Sequence, residues 1–492
     1  MKKNIVLRNF IINAFGILFS RILGVLRDII LALYLGAGIY SDIFFVALKI
    51  PAFFRRIFAE GAFGQAFLPN FLKTDKKGAF CVNILFQFSI IVFLLCLLVS
   101  FFSEFFTKIF AFGFSKEIIL LASPLVSINF WYLFFIFLVT FLGALLNYKQ
   151  KFFITSFSAS FFNLFIVIAG FFVSKEEPLN ALYYFSYATI LSGFMQLIWH
   201  IFALKNSKII RSMYLSIKLK RTKVKLDKFH STFTHGLLGS SANQLSSLLD
   251  TTIASFLITG SISCLYYSNR VFQLPLALFA IALSQVSFPK ILKHLKANEE
   301  KKALIFMQKA LEYLSILLIL STIIGIVLAN EIIEFLFQRG NFTQEDAKIT
   351  AILLQAYLLG LLPFGLQKLF SLWLYAKFKQ KTAAIIAFKT LFISVFFSIA
   401  IIIFIHKEEY KSLGIALASS ISAFYLLFAN IKEFGFKNLL AILRVKFWFL
   451  SITFMSIFTF LLYEFKDLLI QYLVYFYNLL KGLLQWCYLI VF

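Results

Sequence analysis

Arg21, Arg27 and Asp28 lie inside the first long apolar stretch of this chain. Asp42, Lys49, Arg55, Arg56 and Glu60 lie in or at the end of the second. An Arg, Lys or Asp at the centre of a lipid-facing helix costs roughly 2.5–3.5 kcal/mol. Side chains kept there against that cost face protein or water, so the set marks a polar interior. Asp42, Lys49 and Arg56 are seven residues apart, and Glu60 follows four later. On a helix these positions fall along one stripe. At about 1.5 Å rise per residue the stripe covers roughly 27 Å, close to the hydrocarbon thickness of a bilayer. Pro51 should kink it and help open a cavity. Ser20 shares a face with Arg27, and Arg21 with Gly24 and Asp28, while Arg21 and Arg27 are about 120° apart. A bend at Gly24 would bring them to one site.

The cations of this set outnumber its carboxylates, and Arg270 in the eighth apolar stretch adds another. Surplus guanidinium in a low-dielectric cavity suits a phosphate or diphosphate, because Arg offers forked donors and keeps its proton. Arg55 and Arg56, near the end of their stretch, are also placed to snorkel. For Asp28, Asp42 and Glu60 two readings stand: internal neutralisation, such as Arg27 with Asp28 or Lys49 with Asp42, or a direct role. The seventh stretch is rich in Ser, Thr and Asn and carries Asp250, which suits helix packing or a cation ligand. Lys389 is isolated in the eleventh. No phosphate-cradling glycine loop, metal-spaced His/Cys cluster or nucleophile triad is present, which argues against an enzyme.

The elements that must position these groups are membrane helices. Of 492 residues, 61% are hydrophobic and 14% charged, and apolar runs of about 20 residues recur, the mark of a polytopic α-helical membrane protein. About fourteen spans are expected: 9–35, 41–68, 80–103, 118–146, 153–173, 181–204, 232–258, 264–289, 304–329, 347–375, 383–405, 412–431, 447–464 and 468–490. The net charge of +25 does not indicate nucleic acid, because Lys and Arg concentrate in alternate short loops. That is the positive-inside pattern, with both termini cytoplasmic. The four cysteines are dispersed in apolar sequence and read as small apolar residues. The 68 phenylalanines read as compositional bias.

An internal repeat recurs at an offset of 222 residues. Asp28 matches Asp250, Gly38 matches Gly260, Ser41 matches Ser263, and Phe44 and Phe45 match Tyr266 and Tyr267; Pro51 matches Pro275 after a two-residue shift. Six spans lie within the offset, so the halves share one orientation and are expected to be related by a parallel pseudo-two-fold, with a site between them. The expected organisation is an N-lobe over 1–204, a basic cytoplasmic linker over 205–231, a C-lobe over 232–431 and a C-terminal helix pair over 432–492.

The segments FSRILGVLRDIILALYLGAG (19–38), SDIFFVALKIPAFFRRIFAEGAFGQAFLP (41–69), ASFLITGSISCLYYSNRVFQLPLALFAIAL (254–283) and FQRGNFT (337–343) resemble those of the MurJ (MviN) family. These are lipid II flippases of the multidrug/oligosaccharidyl-lipid/polysaccharide exporter superfamily. The resemblance implies fourteen helices in two six-helix lobes plus a C-terminal pair. It implies movement of the undecaprenyl-diphosphate-linked peptidoglycan precursor from the cytoplasmic to the periplasmic leaflet by alternating access. It further implies that Arg21, Arg27, Arg55 and Arg270 bind the headgroup, and that Ser20, Asp28, Asp42, Lys49, Arg56 and Glu60 are cavity or gating positions. A bacterial inner-membrane protein working as a monomer without cofactor is expected. Its nearest alternative is a related exporter of drugs or of another lipid-linked oligosaccharide. Asn341 and Ala383 depart from the family pattern. Asp250 matches a cation position of some members, but the eleventh span offers Lys389 and Ser394, which leaves coupling to a monovalent cation or to membrane potential open.

Overall fold

The computed structural model describes residues 2–56, 63–173, 177–219, 224–377, 379–468 and 471. Among them the chain is helical, with no strand. In order, the helices are α1 (Lys2–Leu35), α2 (Ile39–Phe54), α3 (Gly64–Lys73), α4 (Lys77–Phe101), α5 (Ser103–Phe110), α6 (Lys116–Phe130) and α7 (Tyr132–Tyr148). Then come α8 (Phe152–Gly170), α9 (Pro178–Leu204), α10 (Lys208–Lys218), α11 (Asp227–Ala254), α12 (Ser261–Pro275), α13 (Ala282–Lys296) and α14 (Glu300–Val327). The last are α15 (Ala329–Phe337), α16 (Gln344–Leu359), α17 (Leu361–Ala376), α18 (Gln380–Phe404), α19 (Leu413–Phe434), α20 (Phe436–Ile442) and α21 (Val445–Glu464).

Each expected span from the first through 447–464 is mostly helical where described, with turns inside several of them, and nine stretches among the described residues are long and apolar enough to cross a membrane. Large side chains such as Phe101, Phe171 and Phe404 are about four-fifths exposed, as lipid-facing positions require. This is an all-α polytopic membrane protein. Glu60, Cys487, linker positions 220–223 and almost all of the last expected span, 468–490, lie outside the described residues.

Several spans are more broken than hydropathy suggests. The second does not continue as one regular helix: α2 stops at Phe54, a wider π turn covers Arg55 and Arg56, and α3 starts at Gly64. Pro51, inside α2, denies the ladder one N–H shortly before that turn. Its repeat partner Pro275 ends α12 at a π-helical stretch, Leu276–Ile281, so the repeat extends to backbone irregularities. By contrast α1 runs uninterrupted through Gly24, and the bend expected there does not interrupt the helix.

Contacts group the chain into two compact units. One comprises Met1–Ser268, Ile333–Leu353 and Ala387–Ala418; the other comprises Asn269–Ile332, Leu354–Ile386 and Ser419–Phe492. Segments of the second half therefore belong with the first unit. The reason is local: α1 ends at Gly36, whose φ of +64° stops the helix and leaves its last carbonyls unbonded. The Asn341 amide donates to Leu33 O at 3.0 Å, and its side chain donates to Tyr34 O at 2.7 Å. Gly340, at φ +61°, leaves room for this approach, since a Cβ there would run into the Leu33 carbonyl. The departure at Asn341 thus supplies a cap. Within the second unit, Gly365 admits Leu318, and Ser420 Oγ donates to Ala356 O at 2.6 Å.

Candidate substrate site and helix-end clasp

Two polar clusters lie in the first unit. In the C-terminal half of α1, Arg27 and Asp28 are buried to 7% and 1% exposure. The Arg27 guanidinium donates to Asp28 Oδ1 from Nε (3.0 Å) and Nη2 (2.6 Å), and to Asn163 Oδ1 from Nη1 (3.0 Å). Nη2 also donates to the Tyr266 hydroxyl at 2.9 Å, and that hydroxyl donates to Asp28 Oδ1 at 3.1 Å. The guanidinium lies 5.3 Å from the Phe162 ring centre. Asn163, on α8, completes a bridge by donating from Nδ2 to Ser20 O at 2.8 Å. Arg27 is therefore held in place by partners from three helices, its charge answered by Asp28. For this pair the internal-neutralisation reading applies.

For Asp42 and Lys49 it does not. Asp42, 3% exposed, accepts from the backbone N–H of Gly260 (2.7 Å) and of Ser263 (2.8 Å), and from the Ser263 hydroxyl. Those amides belong to the start of α12, where a helix leaves donors without partners and a carboxylate is favoured by the helix dipole. Asp42 is in effect an N-cap supplied by another helix. Beside it, Ser263 Oγ donates to Ser41 Oγ at 2.7 Å, so the two repeat-equivalent serines touch. Phe45 stacks on Tyr266 at 3.8 Å, joining this clasp to the Arg27 cluster. Thr252 Oγ1 donates to Phe110 O at 3.0 Å, and Gly113 N donates to Ser255 Oγ at 2.9 Å, which fits the packing reading of the seventh span's hydroxyls. Lys49 instead interacts electrostatically with Asp250 and Arg56.

The remaining expected residues are placed as follows. Ser20 is half-buried and Arg21 exposed on α1. Arg55 is half-buried, and Arg56 is exposed and donates to Gln244 Oε1 at 3.1 Å. Asp250 is half-buried on α11, and Arg270 is half-buried on the part of α12 that belongs to the second unit. Among the described residues no group of three His, Cys, Asp or Glu side chains is arranged to hold a metal ion.

Three residues had no site role assigned from the sequence. Lys368 is a half-buried lysine in the middle of α17, visible as an intramembrane cation by the rule applied to Lys49. Asn163 and Tyr266 carried no such signal: a lone Asn or Tyr in an apolar helix is unremarkable until its partners are known.

A family model described as lipid II flippase MurJ matches residues 31–480. The chain belongs to the lipid II flippase MurJ family. A probable lipid II flippase MurJ of Helicobacter pylori (strain ATCC 700392 / 26695) is 45% identical over 457 residues, covering 90% of this chain and 98% of that protein. One from Buchnera aphidicola subsp. Baizongia pistaciae is 35% identical, covering 85% and 82%. Among solved structures, a lipid II flippase MurJ in an inward closed conformation superposes with a TM-score of 0.72 at 29% identity, over 93% of this chain and all of that one. An inward-facing multidrug resistance MATE family transporter gives 0.69 at 13% identity, over 86% and 95%, a likeness of fold alone. As a MurJ family member the chain is a transporter.

Proposed function

We propose that this chain carries lipid II from the cytoplasmic to the periplasmic leaflet of the bacterial inner membrane by alternating access, with both termini cytoplasmic and the monomer as the working unit. The nearly full-length match to lipid II flippases supports the substrate. In this reading Arg21, Arg27, Arg55 and Arg270 contact the diphosphate and sugars, and the prenyl chain stays in lipid.

Arg27 is already satisfied by Asp28, so an incoming diphosphate must replace a carboxylate rather than fill a vacancy. Exchange of one anion for another on a forked donor keeps net binding moderate, which release requires. Ser20, Lys49, Arg56 and Glu60 line or gate the path. Asp42 holds shut the end opposite the cationic loops, and its release from Gly260 and Ser263 opens that end. Lys49 acts as a built-in counter-cation for Asp250, which leaves membrane potential as the favoured energy source over a bound monovalent cation.

The test is complementation of a flippase-depleted strain, with leaflet-specific labelling of lipid II. Wild type should restore outer-leaflet labelling, and Arg27→Ala and Arg270→Ala should not. Full rescue by both variants, or labelling that depletion leaves unchanged, would overturn the assignment.

A further inference from the structure

A second charged surface lies away from the interior. Helix α9, a span covering Pro178–Leu204, ends four residues before α10 begins, and α10 crosses the first turn of the span α4. The crossing is close: a Cβ at Gly78 would collide with the Ser212 carbonyl and side chain. Helix α10 therefore lies at the level where two spans end. Ile209 and Met213 are buried, and Ser207 Oγ caps the helix by accepting from Ile210 N at 3.2 Å.

The opposite side of α10 has an unusual composition. Lys208, Arg211 and Lys218, spaced three and then seven residues apart, form an exposed ridge. Beside them Tyr214 and Ile217 are 62% and 58% exposed, and Leu215 and Leu219 are exposed as well. Neighbouring loop ends add to the charge. Lys77 stands over the rings of Phe71 (5.5 Å) and Tyr148 (5.6 Å), and Lys151 donates to Ala203 O at 3.0 Å. These contacts gather the segments 71–78, 147–152 and 203–219 at one end of the unit, and Asp75 is their sole acidic residue.

We propose that α10 and these loop ends form a docking surface for anionic phospholipid headgroups of the adjoining leaflet. A solvated face would not leave Tyr214, Ile217, Leu215 and Leu219 bare between cations. A helix lying in the interface immerses such residues at the acyl boundary while Lys and Arg reach up to the phosphodiesters. Guanidinium and ammonium donate to phosphate oxygens, and the leaflet's negative potential adds to the attraction. This surface is separate from the Arg27 cluster and does not depend on which headgroup is carried.

The test uses the full chain in micelles containing equal phosphatidylglycerol and phosphatidylethanolamine, with retained lipid counted by native mass spectrometry. Wild type should retain phosphatidylglycerol preferentially. The variant K208Q/R211Q/K218Q should lose that preference by about fivefold per neutralised charge, and the charge-conserving K208R/R211K/K218R should keep it. The variant K293Q/K296Q/K301Q, an equal change of net charge elsewhere, should also keep it. Equal retention of the two lipids by wild type would overturn the proposal and assign the ridge to a soluble acidic partner. An equal loss in the two neutralised variants would overturn it in favour of a general charge effect.

Discussion

Replacement of Asp42 by Asn tests whether one carboxylate holds the start of α12 against α2. The change is nearly isosteric, so packing is preserved while the acceptor pair becomes one acceptor and one donor. Asp42 now receives the Gly260 and Ser263 amides at 2.7 and 2.8 Å, together with the Ser263 hydroxyl. Asn can serve one side only. On the other, its NH2 group faces an N–H, leaving a buried donor without an acceptor.

The loss is therefore one hydrogen bond to a charged group, about 1.5–3 kcal/mol, with an unsatisfied donor adding roughly 1–3 kcal/mol. Relaxation recovers part of this, and a net change of about 3 kcal/mol corresponds to a shift of roughly 100-fold between clasped and released states. Native Cys264 is the reporter, because it follows Ser263 directly and is 3% exposed. With the other cysteines replaced by Ala, its rate of modification by a membrane-impermeant thiol reagent measures release. Asp42→Asn should raise that rate by about two orders of magnitude in protein that still elutes as one species. A rate within twofold of wild type would refute the reasoning.

Further outcomes are expected. Tyr266→Phe keeps the 3.8 Å stack on Phe45 but removes a hydroxyl that bonds both Arg27 and Asp28; thermal unfolding in detergent should show a loss of about 1–3 kcal/mol, and Tyr266→Ala a larger one. Gly36→Ala places a Cβ against the Asn341 carbonyl at a φ of +64°; a destabilisation of about 1–3 kcal/mol is expected, read as a lower thermal midpoint. Outside the spans, the Lys302 and His294 side chains hold the Glu299 carboxyl below its ordinary range by hydrogen bonds of 2.7 and 2.8 Å. A depressed folded value means the tie contributes above the ordinary carboxylate value and is lost as pH falls through the depressed one. Hydrogen exchange of amides 294–303, corrected for intrinsic rate, should therefore speed up on acidification, and Glu299→Gln should already show the faster exchange near neutrality.

The helices were legible because lipid leaves a chain little choice: uninterrupted apolar runs must satisfy their backbone internally. Charged groups inside those runs were legible for the same reason, since each is costly unless placed. Their partners were not. Asp42 looked like a mate for Lys49 on its own helix, yet it binds backbone amides 218 residues away or more, and a backbone amide leaves no mark in a sequence. Arg27 and Asp28 are adjacent and their pairing was foreseeable, whereas the Asn163 bridge depends on how α8 lies against α1. The breaks after Pro51 and Pro275 were half-visible: proline announces a disturbance, but not that it takes the form of a widened turn.

The contact between Ser41 and Ser263 has a consequence for the origin of the chain. If the halves descend from one duplicated segment, the same serine once met its own copy on a two-fold axis, as in a self-paired half-length ancestor. At the next position such symmetry would set one carboxylate on each of the two helix starts. Here one copy is Asp42 and the other is Cys264. Fusion into a single polypeptide freed the two sides to diverge, so that one helix start keeps an anion and the other gives it up.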